Sequence, residues 1–148
     1  MKKLKRILYS LAIIVAVIAL VRVSLLLRPI PGLMEQAGLP LTCIRGIHAV
    51  DSWTDWLNYT DGYDYAVLQV DPGSFVPPED WTRGQSIAGD SHPLSYHDVP
   101  LPETITAWRF DPRDRSLPFD EQEFFAAMYN ENTGMLVLYR GHSFYGSP

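Results

Sequence analysis

The chain opens with an apolar stretch that has no polar face. Ile7 to Leu27 reads ILYSLAIIVAVIALVRVSLLL, 21 residues whose only charge is Arg22. About 20 apolar residues at 1.5 Å rise each cross the hydrocarbon core of a bilayer. The run therefore predicts a single membrane-spanning helix over residues 7–28, behind a basic tail at 1–6. Arg22 sits near the far end of the run, where its stem can lie in lipid while the guanidinium reaches the interface. Arg28-Pro29-Ile30-Pro31-Gly32 then predicts a helix break, because proline lacks the amide donor and disfavours helix in the residue before it. Residues 29–148 are expected to form one domain, since no repeat, low-complexity tract or charged linker divides them.

Within that domain the pattern becomes shorter and partly alternating. A helical turn is expected at Leu33 to Ala37, ending at Gly38, and a first strand at Leu41 to Val50. Asp51 to Asp64 is a polar, aromatic turn region. Tyr65-Ala66-Val67-Leu68-Gln69-Val70 is the clearest strand, stopped by Asp71-Pro72-Gly73. Phe75 to Pro102 is rich in Pro, Gly and Ser, with a turn of helix expected at Glu79 to Trp81. Thr104 to Phe110 alternates as a further strand, ended by Asp111-Pro112. The last element has two readings. Asp120 to Glu123 before Phe124-Phe125-Ala126-Ala127-Met128 resembles a helix start, whereas Phe124–Tyr129 and Met135–Arg140 flank an Asn130-to-Gly134 turn as a hairpin would. The hairpin is preferred, because a short Asn/Gly turn between two apolar runs is a common connection. The expected class is α+β: a membrane helix, then a mainly antiparallel sheet of four or five strands with one or two short helices.

Charge sharpens the division. All 17 acidic residues lie from Glu35 onward, and six of the 12 basic ones precede it. The tail and span carry +6 and the remainder carries -11. A domain this acidic, with no basic stripe, is an unsuitable partner for phosphate backbones, so nucleic acid is excluded. Four basic residues before the span, against Arg22 and Arg28 at its far end, place the N-terminus in the cytoplasm and the domain outside the plasma membrane. The alternative is secretion after signal cleavage, since a basic start and an apolar run also begin signal peptides. An Ala-x-Ala-like site is missing where the run ends, which favours retention as an anchor. Cys43 is the only cysteine, so no internal disulfide can form.

The chemistry-bearing residues are scattered. On one segment, Asp90, His92, His97 and Asp98 could supply nitrogen and oxygen ligands to zinc or another transition metal, given a third ligand such as His48 or His142. Another group, Trp53, Asp55, Trp56, Tyr59, Asp61 and Tyr63, could present flat rings beside carboxylates to a sugar or a peptide. The same rings can equally anchor the turn into a core. Calcium fits poorly, because the segment lacks the alternating carboxylates and terminal Glu of a calcium loop. No Gly-x-Ser-x-Gly elbow and no phosphate-cradling glycine loop occurs, and the acidic pairs Glu79/Asp80 and Asp120/Glu121 are ordinary loop charge. The sequence thus predicts a non-enzymatic envelope protein with no cofactor, contacting the bilayer through residues 7–28 and an unidentified protein or surface polymer through its domain. The alternative is a metal-binding or metal-dependent hydrolytic domain built on His92 and His97.

The order of these features resembles small uncharacterised bacterial cell-envelope proteins. It comprises an anchor or signal segment, a polar turn with Asp61-Gly62, the strand YAVLQV, a Pro-rich middle with Trp81, and the closing FFAAMYNENTGMLVLY. The resemblance covers roughly residues 41 to 142 and implies location and fold. Those proteins carry a His- and Gly-rich turn before the Asp-Gly, where this chain has Trp53 to Thr60. A ligand held by those histidines therefore does not carry over.

Overall fold

A computed structural model describes residues 2–54, 62–84, 99–111 and 123–142. Helix α1 (Lys2–Leu27) is long and apolar enough to cross a membrane, and none of its most apolar stretch is buried within the protein. A core helix of this composition would be covered by its own chain. The exposed apolar helix is instead compatible with a single-pass membrane anchor.

Helix α1 ends at Leu27, at the expected break, but helix α2 (Pro29–Gln36) follows after one residue, so the proline run expected outside helix is itself helical. Proline is excluded from helix interiors but tolerated in the first turn, where amide hydrogens have no intrahelical acceptor. Pro29 and Pro31 both occupy that turn, so they begin a helix four residues earlier than expected. The stop at Gly38 is as expected. Gly38 adopts φ +71°, its N–H donates to Glu35 O at 3.0 Å, and the Leu39 N–H donates to Met34 O at 2.9 Å. This paired closure needs a left-handed residue, which glycine supplies without strain.

Among the described residues six strands form one antiparallel sheet: β1 (Ile44–Thr54), β2 (Gly62–Val70), β3 (Thr82–Arg83), β4 (Ala107–Asp111), β5 (Glu123–Asn130) and β6 (Met135–His142). Their order is β1-β2-β6-β5-β4-β3. The α+β class holds, with more strands than the four or five expected. The additional strand is β3, whose two residues pair with β4 too briefly to leave a pattern. Two strand starts also move inward. Leu41–Cys43 forms a 3-10 turn, and β4 begins at Ala107 because Thr106 is used otherwise. Thr106 N–H donates to Tyr129 O, while its Oγ accepts the Glu131 N–H at 3.0 Å.

The hairpin reading of the last element is the observed one, with β5 and β6 paired from Glu123↔His142 to Asn130↔Met135. The buried Asn130 fixes the turn, its Oδ1 accepting the N–H groups of Asn132 at 2.8 Å and Thr133 at 3.2 Å. Alternation within β2, β5 and β6 sends apolar side chains to both faces. Leu68, Leu136, Leu138, Phe125 and Tyr129 pack beneath Ile30, Leu33 and Met34 of α2. Val67, Val137, Met128, Phe124 and Tyr139 form the core on the opposite face. Strands buried on both sides read as continuous apolar runs, which is why FFAAMY also resembled a helix.

Two arginines clasp α2 to the sheet. The Arg140 guanidinium lies against Gly32 in the helix's first turn and pairs with Asp64 at 2.5 Å. At the other end Arg109 donates to Gln36 O at 3.2 Å, where a helix presents partial negative charge. Arg109 is held by both Asp111 oxygens at 3.0 and 2.6 Å and by Asp80 at 3.1 Å. Asp111 and Asp80 together hold the Arg109 guanidinium above its ordinary pKa, the Asp111 hydrogen bonds contributing most.

Gly141 lies between Tyr63 and Phe124 in the register, and the Phe124 ring fills the space that a side chain there would occupy. A Gly141→Ala substitution is expected to destabilise the domain by about 1–3 kcal/mol, the cost of overpacking a filled core. Thermal or urea unfolding of the full chain in detergent measures this. Adding Phe124→Leu should recover part of the loss, and an unchanged midpoint for the single variant would contradict the packing described.

Candidate functional site

Of the aromatic residues expected at the surface, the described ones are Trp53 and Tyr63. They sit opposite each other on β1 and β2, with ring centroids 6.2 Å apart. From Tyr63 the rings continue across the sheet through Tyr139 at 6.2 Å and Phe124 at 5.2 Å. The row is buried at its centre, and Trp53 is 49% exposed at its edge. The structure therefore joins both expectations, because the rings anchor the strands and one of them remains accessible. Asp55, Trp56, Tyr59 and Asp61 lie outside the described residues.

The metal candidates Asp90, His92, His97 and Asp98 also lie outside the described residues. Among the described residues no three of His, Cys, Asp and Glu are grouped to hold a metal. The two positions considered for a third ligand are far apart in the backbone register. His142 pairs with Gly62 at one end of β2, whereas His48 sits at the level of Val67 and Leu68. That is five or six residues of strand, roughly 17–20 Å.

His48 instead borders a cleft that local patterns did not announce. The cleft has a volume of about 620 Å³, within the range of small-ligand sites. Its floor is Ala49, Val67 and Met135, and one wall is Pro100-Leu101-Pro102. Its polar groups are mainly neutral: Gln69, Thr104, Asn130, Asn132 and Thr133, with His48 and Glu103 as the ionisable ones. Four separate segments supply these residues. No spacing rule connects them, and the only usable signal was the Asn-rich turn that the hairpin required.

The hydrogen-bond roles at this cleft follow from one amide. Gln69 Nε2 donates to Val70 O at 3.0 Å and to Thr133 O at 2.7 Å, which orients Oε1 toward His48. The 3.1 Å contact from His48 Nε2 to Gln69 Oε1 must then have Nε2–H as donor, because an amide oxygen only accepts. Nδ1 is left as the acceptor of the neutral ring. The cleft thus combines an apolar floor with fixed amide and hydroxyl groups, an arrangement that orients a hydrogen-bonding ligand. Among its described lining residues there is no thiol.

No protein-family model, curated protein or solved structure shows significant similarity to this chain.

Tyrosine ionisation checks the aromatic row. Burial raises the phenol pKa of Tyr139 far above its ordinary value. It also raises Tyr63, to whose shift the hydrogen bond to Asp51 Oδ2 at 3.0 Å adds. A folded-state pKa above the unfolded value contributes stability that is fully present below the unfolded pKa and is lost as pH rises through the folded one. The expected result is that native tyrosinate absorbance lags the denatured curve above pH 10.0, the ordinary tyrosine value, and that the unfolding midpoint falls over the same interval. Superimposable native and denatured titrations would contradict the burial.

Proposed function

We propose that this protein is a non-enzymatic binding module anchored in the plasma membrane, with its N-terminus in the cytoplasm and its sheet domain outside. The domain holds a segment of another envelope protein or of a surface polymer in the cleft bordered by His48, Gln69 and Asn130. The observation that carries the reading is the composition of that cleft, an apolar floor beneath hydrogen-bonding groups that are mainly amides and hydroxyls. Peptide and saccharide segments both offer this mixture of apolar surface with amide or hydroxyl groups. Anchoring is supported by the exposed apolar α1, and the orientation by the four basic residues that precede it.

The test uses the full chain in lipid nanodiscs as bait for the source cell's envelope extract, comparing wild type with His48→Ala and Leu101→Asp. Both residues border the cleft, and both lie outside the buried core. Each variant is expected to retain about tenfold less of the specific ligand, a loss of about 1.4 kcal/mol, with an unchanged melting temperature. Equal retention by all three proteins would overturn the assignment. Protease added to intact cells should remove the domain while sparing the basic tail, and protection of the domain would reverse the orientation.

A further inference from the structure

A second cleft, of about 530 Å³, lies where α1 meets the sheet. Leu25 and Leu26 of α1 form one side, with Arg28 and Pro29 at the start of α2. Asp51, Ser52, Asp64 and Arg140 form the other. The formal charges cancel, two arginines against two aspartates, but they are not paired symmetrically. Asp64 is fully engaged, accepting from Ser52 Oγ at 2.6 Å and from Arg140 at 2.5 Å. Among the described residues Asp51 accepts only from neutral donors, the Ser52 N–H at 2.9 Å and the Tyr63 O–H at 3.0 Å. Arg28 is exposed, and among the described residues it has no ion pair or side-chain hydrogen bond. The cleft therefore presents one unneutralised cation and one unneutralised anion.

Its position decides what could use that pair. The apolar run ends at Leu27, so Arg28 begins the interfacial layer, the few ångströms per leaflet in which lipid headgroups lie. We infer that this junction cleft binds the headgroup of a zwitterionic phospholipid, with the phosphate on Arg28 and a primary ammonium on Asp51. The inference rests on the anchoring part of the proposed function, and not on the ligand of the distal cleft. A guanidinium offers paired donors to phosphate oxygens. A primary ammonium brings three donors to a wall of carboxylate and hydroxyl oxygens, whereas quaternary ammonium groups are recognised by aromatic faces. The exposed Leu25 and Leu26 place acyl-chain contact beside the polar wall, which a lipid can use and a free phosphate ester cannot.

The experiment takes the full chain through nanodiscs containing equal phosphatidylethanolamine and phosphatidylglycerol of identical acyl chains, and reads retained lipid by native mass spectrometry after mild detergent extraction. The expected result is several-fold enrichment of phosphatidylethanolamine. Arg28→Gln and Asp51→Asn should each lower it about tenfold, and Arg22→Gln, which removes the other interfacial arginine, should leave it unchanged. Arg28 is exposed and among the described residues its side chain has no ion pair or hydrogen bond, so an unchanged melting temperature in that variant shows that the loss is local. Equal retention of the two lipids, preference for phosphatidylglycerol, or an unaltered Arg28→Gln variant would overturn the inference. So would soluble phosphoethanolamine raising the melting temperature of the lipid-free protein as much as the lipid does, because the ligand would then be the free ester. A failure confined to the enrichment, with α1 still inserted and protease orientation intact, separates this inference from the anchoring on which it rests.

Discussion

The central strands β2, β6 and β5 are apolar on both faces, so the sheet cannot stand with either face in water. A half-exposed sheet of this composition would leave residues such as Leu68, Leu136 and Phe125 uncovered, at about 1.5–3 kcal/mol for each large side chain. Helix α2 meets this constraint on one face by seating Ile30, Leu33 and Met34 over those residues. Because α2 follows α1 after a single residue, covering the core also fixes where the anchor leaves the domain. The end of α1 is brought to the Asp64 and Arg140 end of the sheet, and the β5–β6 turn is set at the opposite end. The junction cleft is a consequence of that packing requirement.

The same requirement explains how an acidic domain uses its few cations. A net charge of -11 beyond the span would disperse six arginines over the surface if solubility alone governed them. Two of the six face the same helix. Arg140 lies against the first turn of α2, and Arg109 meets its last carbonyls. Each is partly buried and held by carboxylates, which offsets the cost of removing a guanidinium from water. Geometry matters more than Coulomb energy here. Bidentate contact of Arg109 with Asp111 aims the remaining nitrogen at Gln36 O and Asp80.

What the sequence made legible was local and periodic. The membrane run, the strand ending at Val70 and the β5–β6 hairpin all depend on residues close together in the chain, and each was placed within a few residues. The errors have physical causes. Pro29 and Pro31 were read as breakers because sequence does not show whether a proline lies in a helix interior or in its first turn. Strand β3 is two residues long, shorter than any period can reveal, and exists because β4 offers it an edge. The distal cleft was invisible for a different reason. His48, Leu101 and Asn130 are brought together by strand order and by the return of the chain after β3, and neither is encoded by spacing. Trp53 and Tyr63, expected together on one turn, instead face each other on paired strands, because the row they belong to runs across the sheet and not along the chain.

The two clefts share strands but not chemistry. Asp64 and Gln69 belong to β2, and Arg140 and Met135 to β6, so five residues of strand, roughly 17 Å, separate the polar junction from the neutral cleft. That exceeds the screening length of about 8–10 Å at physiological salt. Charge at the membrane end therefore has little direct effect on a ligand at the far end. The mainly neutral polar lining of the distal cleft is consistent with this separation, because contacts made by amides and hydroxyls depend little on the field of the lipid surface. Conversely, an acidic domain set directly on α1 is repelled by anionic lipid and much less by a zwitterionic one. A headgroup that neutralises Arg28 and Asp51 together would let the domain sit at the surface without adding to that repulsion.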